Sequence, residues 1–138
     1  MVVLIDTNVI LDFLMTREPF YEASADIILK CANGELTGYI AFHSVANLWY
    51  ILRRIPEDMR RKWMADICNC LYVASANHEE ILDAINRDEF KDFEDCLQDK
   101  CAKTVDADYI VTRNTSDFLN SEVKAVLPEE LLDIIKDD

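Results

Sequence analysis

Three aspartates stand where a folded chain can bring them together. Asp6 closes the apolar run Val2-Val3-Leu4-Ile5 and precedes Thr7-Asn8. Asp117 ends the segment Thr112-Arg113-Asn114-Thr115-Ser116-Asp117, and between the two lies Asp92-Phe93-Glu94-Asp95-Cys96-Leu97-Gln98-Asp99. On a helix, Asp92, Asp95 and Asp99 fall on one stripe, with Phe93, Cys96, Leu97 and Cys101 as apolar neighbours. Carboxylates gathered in a partly buried site repel one another, and desolvation adds to the cost, so they persist there protonated or held by a cation. Mg²⁺ and Mn²⁺ take oxygen ligands and retain waters, which leaves room for a phosphate. A cation so held activates water and stabilises the charge that grows in phosphodiester cleavage. Asp6 suits helix capping equally well, since Asp-Thr-Asn is good N-cap chemistry. Asp92 and Asp99 read as a solvated helix face. Asp95, beside Cys96 and Leu97, reads as bordering the core.

The elements that would position these residues follow from periodicity. Val2–Ile5 is a short β-branched apolar run, suited to a strand covered on both faces. Further strands are predicted over 37–42, 71–73, 109–112 and 123–126. Helices are predicted over 8–14, 20–32, 43–54, 58–69, 78–86, 92–104 and 129–135. Arg17-Glu18-Pro19 ends the first helix and Asn33-Gly34 the second. Strands alternating with helices predict an α/β domain, a three-layer α/β/α sandwich around a mainly parallel sheet. Ligands of such sheets bind beyond the carboxyl ends of the strands, where strand order reverses. If the first and fourth strands are neighbours, Asp6, Asp95 and Asp117 meet there.

The chain of 138 residues is expected to form one domain, residues 1–138, and its 51% hydrophobic content is enough for one core. Its 14 Lys+Arg against 27 Asp+Glu give a formal charge of −13, which excludes a generally basic nucleic-acid coat. Two glycines, Gly34 and Gly38, are too few for a glycine-rich phosphate cradle. No stretch is long and apolar enough to cross a membrane, and the N-terminus lacks the basic region of a signal peptide. Cys31, Cys68, Cys70, Cys96 and Cys101 contain no C-x-x-C pair, so buried reduced thiols and a cytoplasmic location are expected. His43 and His78 each open a predicted helix without an evident acidic partner. An aspartyl-phosphate enzyme built on Asp6 is disfavoured, because Asn8 stands where such enzymes need a second Asp.

Three segments together resemble the PIN-domain family. They are Val3-Leu4-Ile5-Asp6-Thr7-Asn8-Val9-Ile10-Leu11-Asp12, then Phe93-Glu94-Asp95, then Ala107-Asp108-Tyr109-Ile110-Val111-Thr112-Arg113-Asn114 with Asp117-Phe118. The resemblance runs along almost the whole chain and is most specific at Asp-Thr-Asn. It implies Mg²⁺- or Mn²⁺-dependent cleavage of single-stranded RNA, often as the toxin of a toxin–antitoxin pair. It places Asp6, Asp95 and Asp117 as catalytic metal ligands, with Asn114 sharing the last position. Thr112 would bond near the metal's water and Asn8 would orient Asp6. Asn47 stands where the family usually has Glu; an amide offers a carbonyl oxygen but no charge. With Asn114 also neutral, the resemblance implies a weakened acidic site, and the alternative is a catalytically impaired module for protein or RNA binding.

RNA requires a local positive surface. The segment 53–62 carries Arg53, Arg54, Arg60, Arg61 and Lys62 against Glu57 and Asp58, whereas residues 78–108 have 11 acidic and 4 basic residues. Trp49, Tyr50 and Trp63 offer stacking surfaces, although their spacing also suits core or dimer contacts. A homodimer through the Leu48–Leu52 face and an antitoxin protein partner are expected from the resemblance.

Overall fold

The computed structural model describes residues 1–138. Five strands form one sheet: β1 (Val2–Ile5), β2 (Thr37–Ala41), β3 (Tyr72–Ala74), β4 (Tyr109–Val111) and β5 (Ala125–Val126). Their order is β3-β2-β1-β4-β5 and every pairing is parallel. The helices are α1 (Thr7–Leu14), α2 (Tyr21–Ala32), α3 (Phe42–Ile51), α4 (Glu57–Cys70), α5 (His78–Asn86), α6 (Phe93–Thr104) and α7 (Pro128–Asp137), with a short 3₁₀ turn at Thr115–Phe118.

The alternation of a strand explains why β1 must be apolar throughout. Val3 and Ile5 enter a larger core with α1, α2, α4 and α7, while Leu4 points into a second core with Cys96, Cys101, Ala102 and Phe118. Ile110 and Val111 on β4 divide in the same way. Helices therefore cover both faces, which is the α/β/α sandwich. From β1 the chain moves outward through β2 and β3, then returns across β1 to β4 and β5. The reversal falls between β1 and β4, registered with Ile5 opposite Val111.

Most elements lie within two residues of their expected bounds; the departures have local causes. The helix expected to reach Arg54 ends at Ile51, and its apolar stripe is spent on the core: Leu48 and Leu52 are fully buried. They cannot form a dimer face, and only Tyr50 and Ile51 of that segment are exposed apolar residues. Leu71 caps α4 and is buried, so β3 starts one residue later than expected. The last strand shrinks to Ala125–Val126. All five cysteines are free; Cys31, Cys96 and Cys101 are buried, but Cys68 is exposed on α4, contrary to a uniformly buried set. No helix is long and apolar enough to cross a membrane.

Candidate metal centre

At the carboxyl ends of β1 and β4 an open cavity of about 420 Å³ is lined by Asp6, Asn8, Asn47, Tyr50, Asp92, Glu94, Asp95, Asn114 and Asp117, among others. Each side chain arrives there for a traceable reason. Asp6 follows β1 directly, and its backbone N–H donates to Val111 O at 2.9 Å, tying it to the neighbouring strand. Its carboxylate does both things its position allowed. Oδ1 accepts the Thr7 N–H at 2.7 Å as the cap of α1, and Oδ2 accepts the buried Thr112 hydroxyl at 2.8 Å. Asn8 reaches the same Oδ2 at 3.4 Å, and its Oδ1 accepts the Arg113 N–H at 3.3 Å. Thr112 thus acts on Asp6 itself and receives the Asn114 N–H at 3.0 Å, which turns the loop toward the cavity.

The second group of carboxylates opens α6. Asp92 is the N-cap, accepting the Glu94 N–H at 2.9 Å, and Glu94 and Asp95 occupy the first turn, where the positive end of the helix dipole favours negative charge. One carboxylate oxygen from each of Asp92, Glu94 and Asp95 lies within 4.8 Å of the others, a spacing that a single ion can bridge. Asp95 is buried and Asp92 exposed. Burial, followed by the charges of Asp6 and Glu94, pushes the Asp95 carboxyl up to about 8. Burial chiefly, opposed by the Thr112 hydroxyl, moves Asp6 up to about 6. Glu94 goes the other way. Burial would raise it, but hydrogen bonds from His43 and Gln98 outweigh burial and hold it below the usual range. Stripped of a cation, the site stores repulsion; its donors are all hard oxygens, which fit Mg²⁺ or Mn²⁺.

Two residues of this site carry no clear signal in the sequence. Glu94 stands beside the better-placed Asp95, and the sequence offers His43 no acidic partner, yet His43 Nε2 lies 3.1 Å from Glu94 Oε1. The 51-residue separation hides the pair. Asp99 corrects the stripe reading in another way. It is almost fully buried, and its two oxygens accept the Glu122 and Val123 N–H groups at 3.0 Å, so it anchors the lead into β5 instead of facing solvent. Phe93, expected to pack inward, is about half exposed.

Behind the cavity, Asp12 is completely buried and paired with Arg113. The guanidinium donates through Nε to Oδ2 at 2.6 Å and through Nη2 to Oδ1 at 3.3 Å, and it lies 4.0 Å over the Phe20 ring. This clamp joins α1 to the loop after β4. In the basic segment, Arg53 lies over Tyr50 at 4.4 Å, and Arg60 and Arg61 lie over Trp49 at 3.9 and 5.3 Å. Arg61 also pairs with Glu57 and Lys62 with Asp66, so part of the local charge is already answered.

A parallel sheet with its acidic cavity at the β1/β4 reversal defines the class of protein. The PIN domain profile matches residues 2–116, and the chain belongs to that family. No curated protein matches the sequence. Among solved structures, it is similar to a chain of VapBC2 from Rickettsia felis bound to a DNA fragment from their promoter, at 15% identity and TM-score 0.66, covering 92% of this chain and 98% of that one. It is similar to a chain of VapBC-1 from nontypeable Haemophilus influenzae at 17% identity and TM-score 0.65, covering 94% and 99%. PAE2754 from Pyrobaculum aerophilum matches over 100% of both chains at 16% identity and TM-score 0.63. At these identities the likeness concerns the fold.

Proposed function

We propose that this chain is a Mg²⁺- or Mn²⁺-dependent endoribonuclease acting on single-stranded RNA, the toxin of a toxin–antitoxin pair. The observation that carries the reading is the convergence of Asp6, Asp95 and Asp117, with Asp92 and Glu94, on one open cavity at the sheet's reversal point. Asp6, Asp95 and Asp117 would hold the cation, and Asn47 and Asn114 would offer only neutral oxygens. When bound, the cation polarises a phosphoryl oxygen and lowers the pKa of water. The chain's own part is to aim and to exchange protons. Thr112 and Asn8 fix the Asp6 carboxylate, and Asp95, its carboxyl pushed up to about 8 chiefly by burial, would ligate a cation in its ionised form. Tyr50, exposed on the cavity wall with Arg53 over its ring, offers a face for a base. Arg53, Arg54, Arg60, Arg61 and Lys62 meet phosphates outside the acidic zone.

The family membership and the likeness to chains of VapBC assemblies support a protein antitoxin as partner. An apolar groove of about 490 Å³ between α3 and α4, lined by Phe42, Val45, Trp49 and Met64 with Arg61 on its wall, suits an apolar segment bearing acidic residues. A homodimer and a cytoplasmic setting belong to the same reading.

Calorimetric titration with Mn²⁺ tests it, wild type beside Asp6→Ala and Asp95→Ala, followed by cleavage of a single-stranded RNA panel. Binding in the micromolar to submillimolar range, lost in both variants, is expected. No binding up to ~10 mM would refute the metal-site reading and favour a non-catalytic module, the outcome that neutral Asn47 and Asn114 would produce.

A further inference from the structure

We propose that Glu94 supplies the acidic oxygen that position 47 lacks, and that His43 and Gln98 are the positioning residues that set it there. The inference rests on the metal-site reading above and names a further ligand within it.

The geometry comes from two helices meeting at the cavity. Asn47 lies on α3 and lines the cavity with its amide. His43 precedes it by four residues, hence on the same face of α3. That face carries no carboxylate; it receives one from α6 through the contact of His43 Nε2 with Glu94 Oε1 at 3.1 Å. An ionised carboxylate has only acceptors, so His43 carries its proton on Nε2. Gln98, one turn further along α6 and fully buried, donates from Nε2 to the same Oε1 at 3.0 Å and to Ser44 Oγ at 2.7 Å. The Thr7 hydroxyl donates to Ser44 Oγ at 3.0 Å, which links this network to the first turn of α1, beside Asp6. Ser44 is itself fully buried.

Glu94 is therefore held by His43 from α3 and by Gln98 from its own helix, with Ser44 and Thr7 bracing Gln98 behind them, an arrangement a solvated helix-face glutamate would not need. Both donors use Oε1, so Oε2 takes neither bond. Glu94 lies close enough to Asp6 for its charge to raise the Asp6 proton affinity, and it shares the 4.8 Å cluster with Asp92 and Asp95. Asp6, Asp92, Glu94, Asp95 and Asp117 all line the cavity, and Glu94, brought to α3 through His43, offsets the missing charge of Asn47.

Exchanging the two positions tests the assignment. Mn²⁺ affinity is measured by calorimetry, and the Mn²⁺-induced rise in Tm provides a second readout independent of cleavage. Glu94→Gln should weaken binding about tenfold or more, whereas Asn47→Ala should change it less than about threefold. The double variant Glu94→Gln/Asn47→Glu should return to within about threefold of wild type, because it restores the charge from α3. His43→Gln leaves the carboxylate and removes one of its holders, and should cost about two- to fivefold. Wild-type affinity in Glu94→Gln, or a double variant no better than Glu94→Gln alone, would overturn the assignment of Glu94 while leaving the metal site standing. Unchanged affinity in His43→Gln would overturn its positioning role, and this variant keeps the proposal testable if Glu94→Gln fails to fold. Wild-type protein that binds no Mn²⁺ would overturn the site and this inference together.

Discussion

Arg113→Ala should be among the most damaging single changes in this chain, although Arg113 touches no proposed metal ligand. Its partner Asp12 has no exposure at all, whereas the Arg113 side chain retains 27%. Removing the guanidinium deletes two charge-assisted hydrogen bonds and the stacking on Phe20. The buried carboxylate is then left with Arg17 at 3.9 Å as its remaining cation. Breaking a buried pair from one side typically costs 3–5 kcal/mol; with one partner partly solvated, about 3 kcal/mol is expected. For a domain of this size that lowers Tm by about 10 °C. Arg113→Lys should recover little, because an ammonium cannot make the forked contact or stack as a plane. Replacing both residues by Leu should recover at least half of the loss, since a buried apolar pair carries no desolvation cost. Urea unfolding of wild type, Arg113→Leu, Asp12→Leu and the double Leu variant closes the cycle, with Arg113→Ala measured beside it. A loss below about 1 kcal/mol for Arg113→Ala, or strict additivity in the cycle, would show that the clamp does not bind α1 to the β4 loop and refute the reasoning.

Three further outcomes are expected. Asp6 and Asp95 titrate near 6 and 8 in the folded protein against an ordinary value of 3.8, so the fold holds protons that the unfolded chain has lost. Metal-free stability should therefore fall as pH rises from about 4 to about 8, with the cost complete above that range; Asp95→Asn should flatten the slope, and urea midpoints at pH 5, 6.5 and 8 that stay level or climb would contradict it. The lowered Glu94 carboxyl acts with the opposite sign, but only below about pH 4.5. Asp99→Ala should cost about 2–4 kcal/mol and open residues 119–124 to limited proteolysis, because two N–H groups lose their acceptor. Gly38→Ala would set a methyl 2.5 Å from Cys31 Sγ and 2.6 Å from Leu71 Cδ2, so a loss of about 1–3 kcal/mol is expected, partly restored by Cys31→Ala; an unchanged Tm would mean the β2 surface accommodates the methyl freely.

The apolar run before Asp6 and the helical stripes were enough to read the sheet strands, their alternation with helices and the edge where chemistry belongs. These signals are local: side-chain periods of 2 and 3.6 are written into the next few residues whatever the rest of the chain does. The same locality placed Asp6, Asp95 and Asp117 at element ends, where the cavity contains all three. What a helical face meets is another matter. Leu48 and Leu52 read as an apolar face open to a partner, and the fold spends both on its own core. Asp99 shares a stripe with Asp95 but turns to the β5 lead, because the sheet order puts that segment beside it. Asp12 and Arg113 lie 101 residues apart, and His43 and Glu94 lie 51 apart. No spacing rule connects such pairs; they meet because β1 takes β4 as its neighbour and α6 packs back across the sheet. Element types and the element ends that carry Asp6, Asp95 and Asp117 were thus legible in the sequence alone, while the tertiary structure decided which charges are paired, which are buried, and that Glu94 meets His43 on α3, four residues before Asn47.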